Sequence, residues 1–500
     1  MNSLKKISLF ILCAAFCGFT PDAPVRVFLI GDSTMADKPL IDNPEHGWGQ
    51  MIPLFFSKNV VFYNHAKNGR STRSFLYEGR WDTVLARIRP GDYVFIQFGH
   101  NDSKTEDTSR FADARTDYRT NLLRFISDAK THQAIPVLLT PVNRRSFDKN
   151  GTYKDKMLEY PAVVREVAQQ EKVPLIDLHQ KSRVLLEQLG DERSKPFYLL
   201  SVQPNVYRAL PNGKDDNTHF TRNGAVRIAQ MVVDGINELP LALKNDIIVR
   251  SLPVLPGDGK VVGLDEYYNS EWKMKKDSSK FRFHYVWDDT TNSGFSELAR
   301  IIDLNGADPD TLQSAPTDSS MKRFSVYIIV DPDTPKETER PNVIEKNEAD
   351  VIERWVKAGG VLILMANDKG NCEFEHLNGL SNRFGIHFNE DLYLDVVNNQ
   401  YDSARITQFP SHPLFANVHA AFIKQVSSLS VKPPAKAILS SRGITVMAEA
   451  SFGKGKVLAV GDPWLYNEYI DNRRLPKGYE NYGAAESFVG WICAQAKRVR

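Results

Sequence analysis

Between residues 24 and 240, short and nearly continuous apolar runs alternate with helix-like segments, and few architectures accommodate that alternation. The runs cover residues 25–30, 60–63, 93–98, 135–139 and 174–176, with Arg26 the one charged residue among them. Strands without a polar face are buried on both sides, as in a parallel sheet covered by helices. The helix-like segments lie at 81–88, 116–131, 160–171, 181–189 and 222–239. Strand and helix in this order predict a doubly wound α/β domain. Such sheets bind ligands beyond the carboxyl ends of their strands. The residues that directly follow each strand are therefore the first place to look for chemistry.

Four polar motifs fall there or just before a helix. Gly31-Asp32-Ser33 follows the first run. Alone it is an ordinary turn sequence, but a serine at the sheet edge is placed to act as a nucleophile. Asp216-Asn217-Thr218-His219 precedes the last helix of this region. A nucleophilic serine needs a base, and the base needs an orienting group. His219 is the candidate base and Asp216 its orienter; the plain alternative is a helix cap beside a surface histidine. Gly99-His100-Asn101-Asp102 ends the run at 93–98, and Asn64-His65-Ala66-Lys67-Asn68-Gly69-Arg70-Ser71 ends the run at 60–63. The Asn101 amide, the Gly69 N–H and the Ser33 N–H are the donors an oxyanion requires in acyl transfer. Each is also an ordinary loop residue when taken singly.

Together, in this order, the motifs resemble the four blocks of the SGNH (GDSL-type) hydrolase superfamily, whose Ser, Gly, Asn and His fall on Ser33, Gly69, Asn101 and His219. The fuller strings Gly31-Asp32-Ser33-Thr34-Met35, Asn68 to Phe75, Gln97 to Asp102 and Asp216 to Phe220 look like the rhamnogalacturonan acetylesterase branch. That resemblance covers residues 24–240. It implies a flavodoxin-like α/β/α sandwich, no metal or other cofactor, and removal of acetyl groups from galacturonate residues of an acetylated pectic polysaccharide or oligosaccharide. Arg70, Arg73 and His100 are candidates to meet the galacturonate carboxylate, a role that suits arginine. Trp48, in Gly47-Trp48-Gly49, is a candidate to stack on a sugar face. Their plain alternatives are ion pairs with Asp or Glu and packing in the core. The long stretch 191–214 before Asp216 is expected to form a loop near the site and departs from the branch pattern.

After the Pro/Gly-rich segment around residues 252–259, α/β alternation resumes. Runs at 326–330 and 361–365 read as strands, 349–358 as an amphipathic helix, and 444–450 with 456–460 as a hairpin across Gly453-Lys454-Gly455. This half resembles, diffusely, a degenerate class I glutamine-amidotransferase-like α/β domain. An active member carries a cysteine on the sharp turn after a strand, with His and Glu. Here that turn reads Ala366-Asn367-Asp368 and Cys372 comes later, so the domain is expected to be non-catalytic. Trp464 and Tyr466 are its candidate sugar contacts, with core packing as the alternative.

The expected organisation is a signal segment at 1–21, an esterase domain at 22–245, a linker at 246–257 and a second open-sheet α/β domain at 258–500. Lys5 and Lys6 before the apolar run 7–19, with small residues near position 17, have the layout of a secretory signal. Export to the periplasm or outside the cell is expected; a lipoprotein fits less well because Phe16 precedes Cys17. The mature chain then keeps Cys372 and Cys493, too few for a disulfide framework. No later segment is long and apolar enough to span a membrane. With 63 Lys+Arg against 61 Asp+Glu, no global field points to nucleic acid. Two other readings stay open: an acetylesterase for another plant glycan such as xylan, and a polysaccharide-binding protein with a vestigial triad.

Overall fold

A computed structural model describes residues 24–499 apart from 42, 158, 201, 203–208, 250–254, 276–277, 417, 472–474 and 477. The expected signal segment and residues 250–254 of the expected linker lie outside the described residues.

The strands of the first half are β1 (Val25–Gly31), β2 (Glu45–His46), β3 (Val60–Asn64), β4 (Tyr93–Gln97), β5 (Ile135–Leu139), β6 (Leu175–Ile176) and β7 (Phe220–Thr221). Five of them pair in parallel in the order β3-β1-β4-β5-β6. The helices are α1 (Trp48–Met51), α2 (Thr72–Tyr77), α3 (Arg80–Leu85), α4 (Arg119–Thr131), α5 (Tyr160–Glu171), α6 (Leu178–Ser194) and α7 (Arg222–Glu238). The strands read as continuous apolar runs because both faces are covered. Along β1, Val27 and Leu29 pack with residues of α1 and α7, while Phe28 and Ile30 pack with residues of α2 to α5. Along β4 the same alternation places Phe95 on the first face and Val94 and Ile96 on the second. The result is a three-layer α/β/α sandwich whose strand order reverses between β1 and β4. Ligands bind at such a reversal, beyond the carboxyl ends of the strands.

The second half builds a sheet with strands Asp308–Leu312, Val261–Asp265, Val326–Val330, Val361–Met365, Gly455–Val460, Ile444–Phe452 and Ala435–Ser441, in that spatial order. The first five run parallel and the last two antiparallel at one edge. The hairpin read from the sequence forms, with Phe452 opposite Gly455. Cys372 and Cys493 are both free and buried. Among the described residues no helix is long and apolar enough to cross a membrane.

A buried ionic cluster joins the halves. Asp303, on the helix Ser296–Leu304, accepts from Arg222 at 2.9 Å and lies 2.7 Å from Nε2 of His46. Arg222 also reaches Asp308 at 2.8 Å and the Gly306 carbonyl at 2.9 Å. Burial works to raise the Asp303 carboxyl, but His46 and Arg222 outweigh it and hold it at about 2. His46 lies in β2 and Arg222 opens α7, and β2 pairs with β7. The second half thus grips the strand and helix that flank His219. Removing one partner of a buried pair leaves the others uncompensated. Asp303→Asn is therefore expected to cost about 3–5 kcal/mol of stability, read as a fall in the denaturant midpoint.

Candidate active site

The turn after β1 is wound around Asp32. Its Oδ1 accepts from the Thr34 N–H at 2.9 Å and the Thr34 hydroxyl at 2.8 Å, and its carbonyl accepts from Met35 and Ala36. Its Oδ2 lies 3.1 Å from Nδ1 of His100. Burial would raise this carboxyl, but His100 and the Thr34 donors prevail and hold it at about 2. Gln97, the last residue of β4, donates to the Thr34 hydroxyl at 2.7 Å and accepts from the Trp48 indole at 2.7 Å. This buried network leaves Ser33 between β1 and β4 with only 8% of its surface exposed.

His219 meets Ser33 from late in the first half of the chain. Its Nε2 is 2.8 Å from the Ser33 Oγ, and its Nδ1 is 2.7 Å from Oδ2 of Asp216. Oδ1 of Asp216 accepts from the Thr218 and His219 N–H groups at 2.7 and 3.1 Å. Burial opposes ionisation of Asp216, but the His219 ring and these N–H donors win and hold the carboxyl well below the usual carboxylate range. With Asp216 accepting at Nδ1, the tautomer that satisfies the network carries its proton there and leaves Nε2 to accept from Ser33.

The turn at 216–219 is braced on several sides. Leu199 N–H donates to the His219 carbonyl and Asp216 N–H to the Leu199 carbonyl. Arg145 donates through its backbone N–H to the Asn217 carbonyl at 2.8 Å and through Nη1 to Asn217 Oδ1 at 2.8 Å. Arg144 donates to the Thr218 hydroxyl at 2.9 Å. The stretch expected to be a loop is partly helical: α6 runs to Ser194, with a kink at Gly190, whose φ of +69° suits glycine.

The two expected oxyanion residues follow β3 and β4, the strands on either side of β1. Gly69 has φ +75°, a conformation any Cβ would strain. Lys38, buried between Asn68 Oδ1 at 2.6 Å and Glu45 Oε1 at 2.8 Å, ties down the turn. The Asn101 amide donates one hydrogen to the Arg70 carbonyl at 3.0 Å and keeps a second. Among the described residues the Ser33 and Gly69 N–H groups have no acceptor. Asp102 binds Thr72 N–H at 2.9 Å and so fixes this loop to the start of α2. Burial pushes its carboxyl up to about 7.

The expected substrate contacts fare differently. Trp48 is fully buried, because its indole packs in the core and caps Gln97, so no ring face is open to a sugar. His100 is also buried, its Nδ1 held by Asp32 and its Nε2 closed off from solvent, so the ring is not open to a substrate carboxylate. Arg70 is occupied by Glu78, at 3.1 and 3.0 Å, and by the Asn68 carbonyl. Arg73 is exposed and faces Asp117 at 3.6 Å. Sequence reasoning missed Arg144 and Arg145, although their place just beyond β5 obeys the strand-end rule. Trp48→Phe is expected to leave the Gln97 side-chain Oε1 unpaired and to cost about 1–3 kcal/mol in denaturation, without a selective rise in KM for a glycan.

Residues 29–225 match the GDSL-like Lipase/Acylhydrolase family. The chain is 42% identical over 227 residues to the rhamnogalacturonan acetylesterase RhgT of Bacillus subtilis (strain 168), covering 45% of this chain and 96% of that protein. It is 34% identical over 223 residues to the probable rhamnogalacturonan acetylesterase YesY of the same organism, covering 45% of this chain and 97% of that one. Among solved structures, the YxiM protein of Bacillus subtilis shares 27% identity over 44% of this chain and 58% of that chain, with a TM-score of 0.38. The chain belongs to the GDSL-like lipase/acylhydrolase family and is a carboxylic ester hydrolase.

Proposed function

We propose that the protein is a rhamnogalacturonan acetylesterase that works through an acetyl-enzyme on Ser33. The observation that carries this reading is the unbroken chain from Asp216 through His219 to Ser33, at 2.7 and 2.8 Å. Relatives named as a rhamnogalacturonan acetylesterase and a probable one support the substrate.

Ser33 attacks the acetyl carbonyl while His219 Nε2 takes the hydroxyl proton. Asp216 stabilises the imidazolium without itself taking up the proton. The oxyanion rests on the Ser33 and Gly69 N–H groups and on the free amide hydrogen of Asn101. His219 returns its proton to the sugar oxygen, which leaves as an alcohol. Water, deprotonated by the same histidine, then releases acetate and restores Ser33.

The second half, by this reading, is a non-catalytic domain of amidotransferase-like type. Cys372 is buried, and burial pushes its thiol well above the ordinary range, which leaves it a poor nucleophile. Tyr466 is fully buried and stacked on Phe488, which favours core packing for that aromatic. The basic and apolar pattern of the first 21 residues supports export to the periplasm or beyond the cell.

The test is acetate release from acetylated rhamnogalacturonan, acetylated xylan and nitrophenyl acetate. Wild type is expected to be fastest on the pectic polymer. Ser33→Ala is expected to lose about 10⁴-fold or more, and Asn101→Ala on the order of 10²–10³ in kcat. Fastest release from xylan would keep the mechanism and discard the substrate; no release from any would return the weight to a binding role. Because the Asp216 carboxyl is held so low, it stays ionised as the pH falls. Activity lost in mild acid is therefore expected not to come from protonation of Asp216, which a rate profile that keeps its acid limb in Asp216→Asn checks.

A further inference from the structure

Arg144, Arg110 and Lys104 lie along the loops that carry His219, Gly69 and Asn101, without a part in the mechanism above. Arg144 is half-buried. Its Nη1 donates to the Thr218 hydroxyl at 2.9 Å, inside the turn that carries His219. Its Nη2 donates to the His100 carbonyl at 3.1 Å, one residue before Asn101. Both acceptors are neutral. Among the described residues no carboxylate forms an ion pair with Arg144, whereas Arg70, Arg145 and Arg165 pair with Glu78, Asp191 and Asp177. A guanidinium offers five N–H donors in a planar fork, so Arg144 keeps its full charge and unused donors beside the reacting groups.

Arg110 overhangs the oxyanion side. Its Nη1 lies 3.6 Å from where a Cβ on Gly69 would stand, and Asp107 holds its Nε at 2.6 Å. Lys104 lies in the field of both arginines. Its ammonium is held below the usual lysine range, first by burial and then by Arg110 and Arg144. Glu106 and Asp107 offset this in part. Lys104 is repelled by both arginines, and while Asp107 pairs with Arg110, no acid among the described residues is set against Arg144, so the cluster favours an anion beside Arg144. The flat fork of an arginine matches a carboxylate better than a point charge does.

We propose that Arg144, flanked by Lys104 and Arg110, is the specificity-determining contact for the carboxylate of an acidic sugar whose acetyl group lies at Ser33. The inference rests on the acetylesterase reading above and deepens it. It also replaces Arg70 and His100, which are occupied by Glu78 and Asp32.

The experiment compares Arg144→Gln, Arg144→Lys and Lys104→Gln with wild type on acetylated rhamnogalacturonan oligosaccharides and on nitrophenyl acetate. For Arg144→Gln, kcat/KM on the charged substrate is expected to fall roughly ten- to a hundredfold, mostly through KM. That fall should exceed the fall on nitrophenyl acetate by about tenfold or more. Arg144→Lys should recover part of the difference, since the charge returns without the fork. Lys104→Gln, which removes no side-chain hydrogen bond among the described residues, should show a smaller loss of the same selectivity and a weaker dependence on salt.

Equal losses on both substrates, or a lysine variant no better than the glutamine one, would overturn the proposal and leave Arg144 a brace for Thr218 and His100. Should Arg144→Gln fail to fold, an absence of selectivity in Lys104→Gln overturns it independently. A wild type that releases no acetate from the pectic oligosaccharide would instead sink the reading on which the inference rests.

Discussion

Asp32 is a carboxylate with no exposure to solvent, and the arrangement around Ser33 depends on how that charge is satisfied. Solvent cannot neutralise it, so protein donors must. They come from two chain segments, Thr34 in its own turn and His100 just beyond β4, with Gln97 of β4 acting through the Thr34 hydroxyl. Trp48 closes the network from α1. Because β1 and β4 are neighbours only where the strand order reverses, the same carboxylate that winds the serine turn also ties down the loop that carries Asn101. Two of the groups that the proposed mechanism needs are thus placed by one buried charge. A network of this kind stabilises only when nearly all its members are satisfied.

The histidine side is held differently. The turn at 216–219 has no strand before it, and its rigidity is borrowed. The Leu199 backbone, Arg144, Arg145 and the β2–β7 ribbon each restrain part of it. The ribbon and the start of α7 are in turn anchored to the second half through His46, Arg222 and Asp303. That gives the second half a physical role in the geometry at Ser33 that does not require it to bind or transform anything.

Much of this was legible in the sequence, for reasons that also explain the rest. Strands buried on both faces announce themselves as apolar runs, so β1, β3, β4 and β5 could be read directly. The edge strand Asp308–Leu312, Asp-Pro-Asp-Thr-Leu, could not, because its state comes from parallel pairing with Val261–Asp265 rather than from its own composition. The helix Asn481–Gln495 escaped for the opposite reason. Ala484, Ala485, Phe488, Val489, Trp491, Ile492 and Cys493 are all buried, so it is enclosed on most sides and shows little amphipathic period. At the site, Ser33, Gly69, Asn101 and His219 were legible because each flanks a regular element within a short motif. The fate of Trp48, Arg70 and His100 was not, since it depends on Gln97, Glu78 and Asp32, and only folding brings those partners close.

Arg144 shows where such reading stops. Its position beyond β5 resembles that of any strand-end arginine, and its neighbour Arg145 is the better embedded of the two, paired with Asp191 and Ser194. What separates them is the absence of an acid beside Arg144 among the described residues, a property of the assembled loops. The chain as a whole is close to neutral, with 63 basic against 61 acidic residues. Net charge therefore says nothing about an anionic substrate. On the reading proposed above, a preference for one would be carried by a local imbalance in which acids are paired off with Arg70, Arg110 and Arg145, leaving Arg144, among the described residues, to meet its counterion in the ligand.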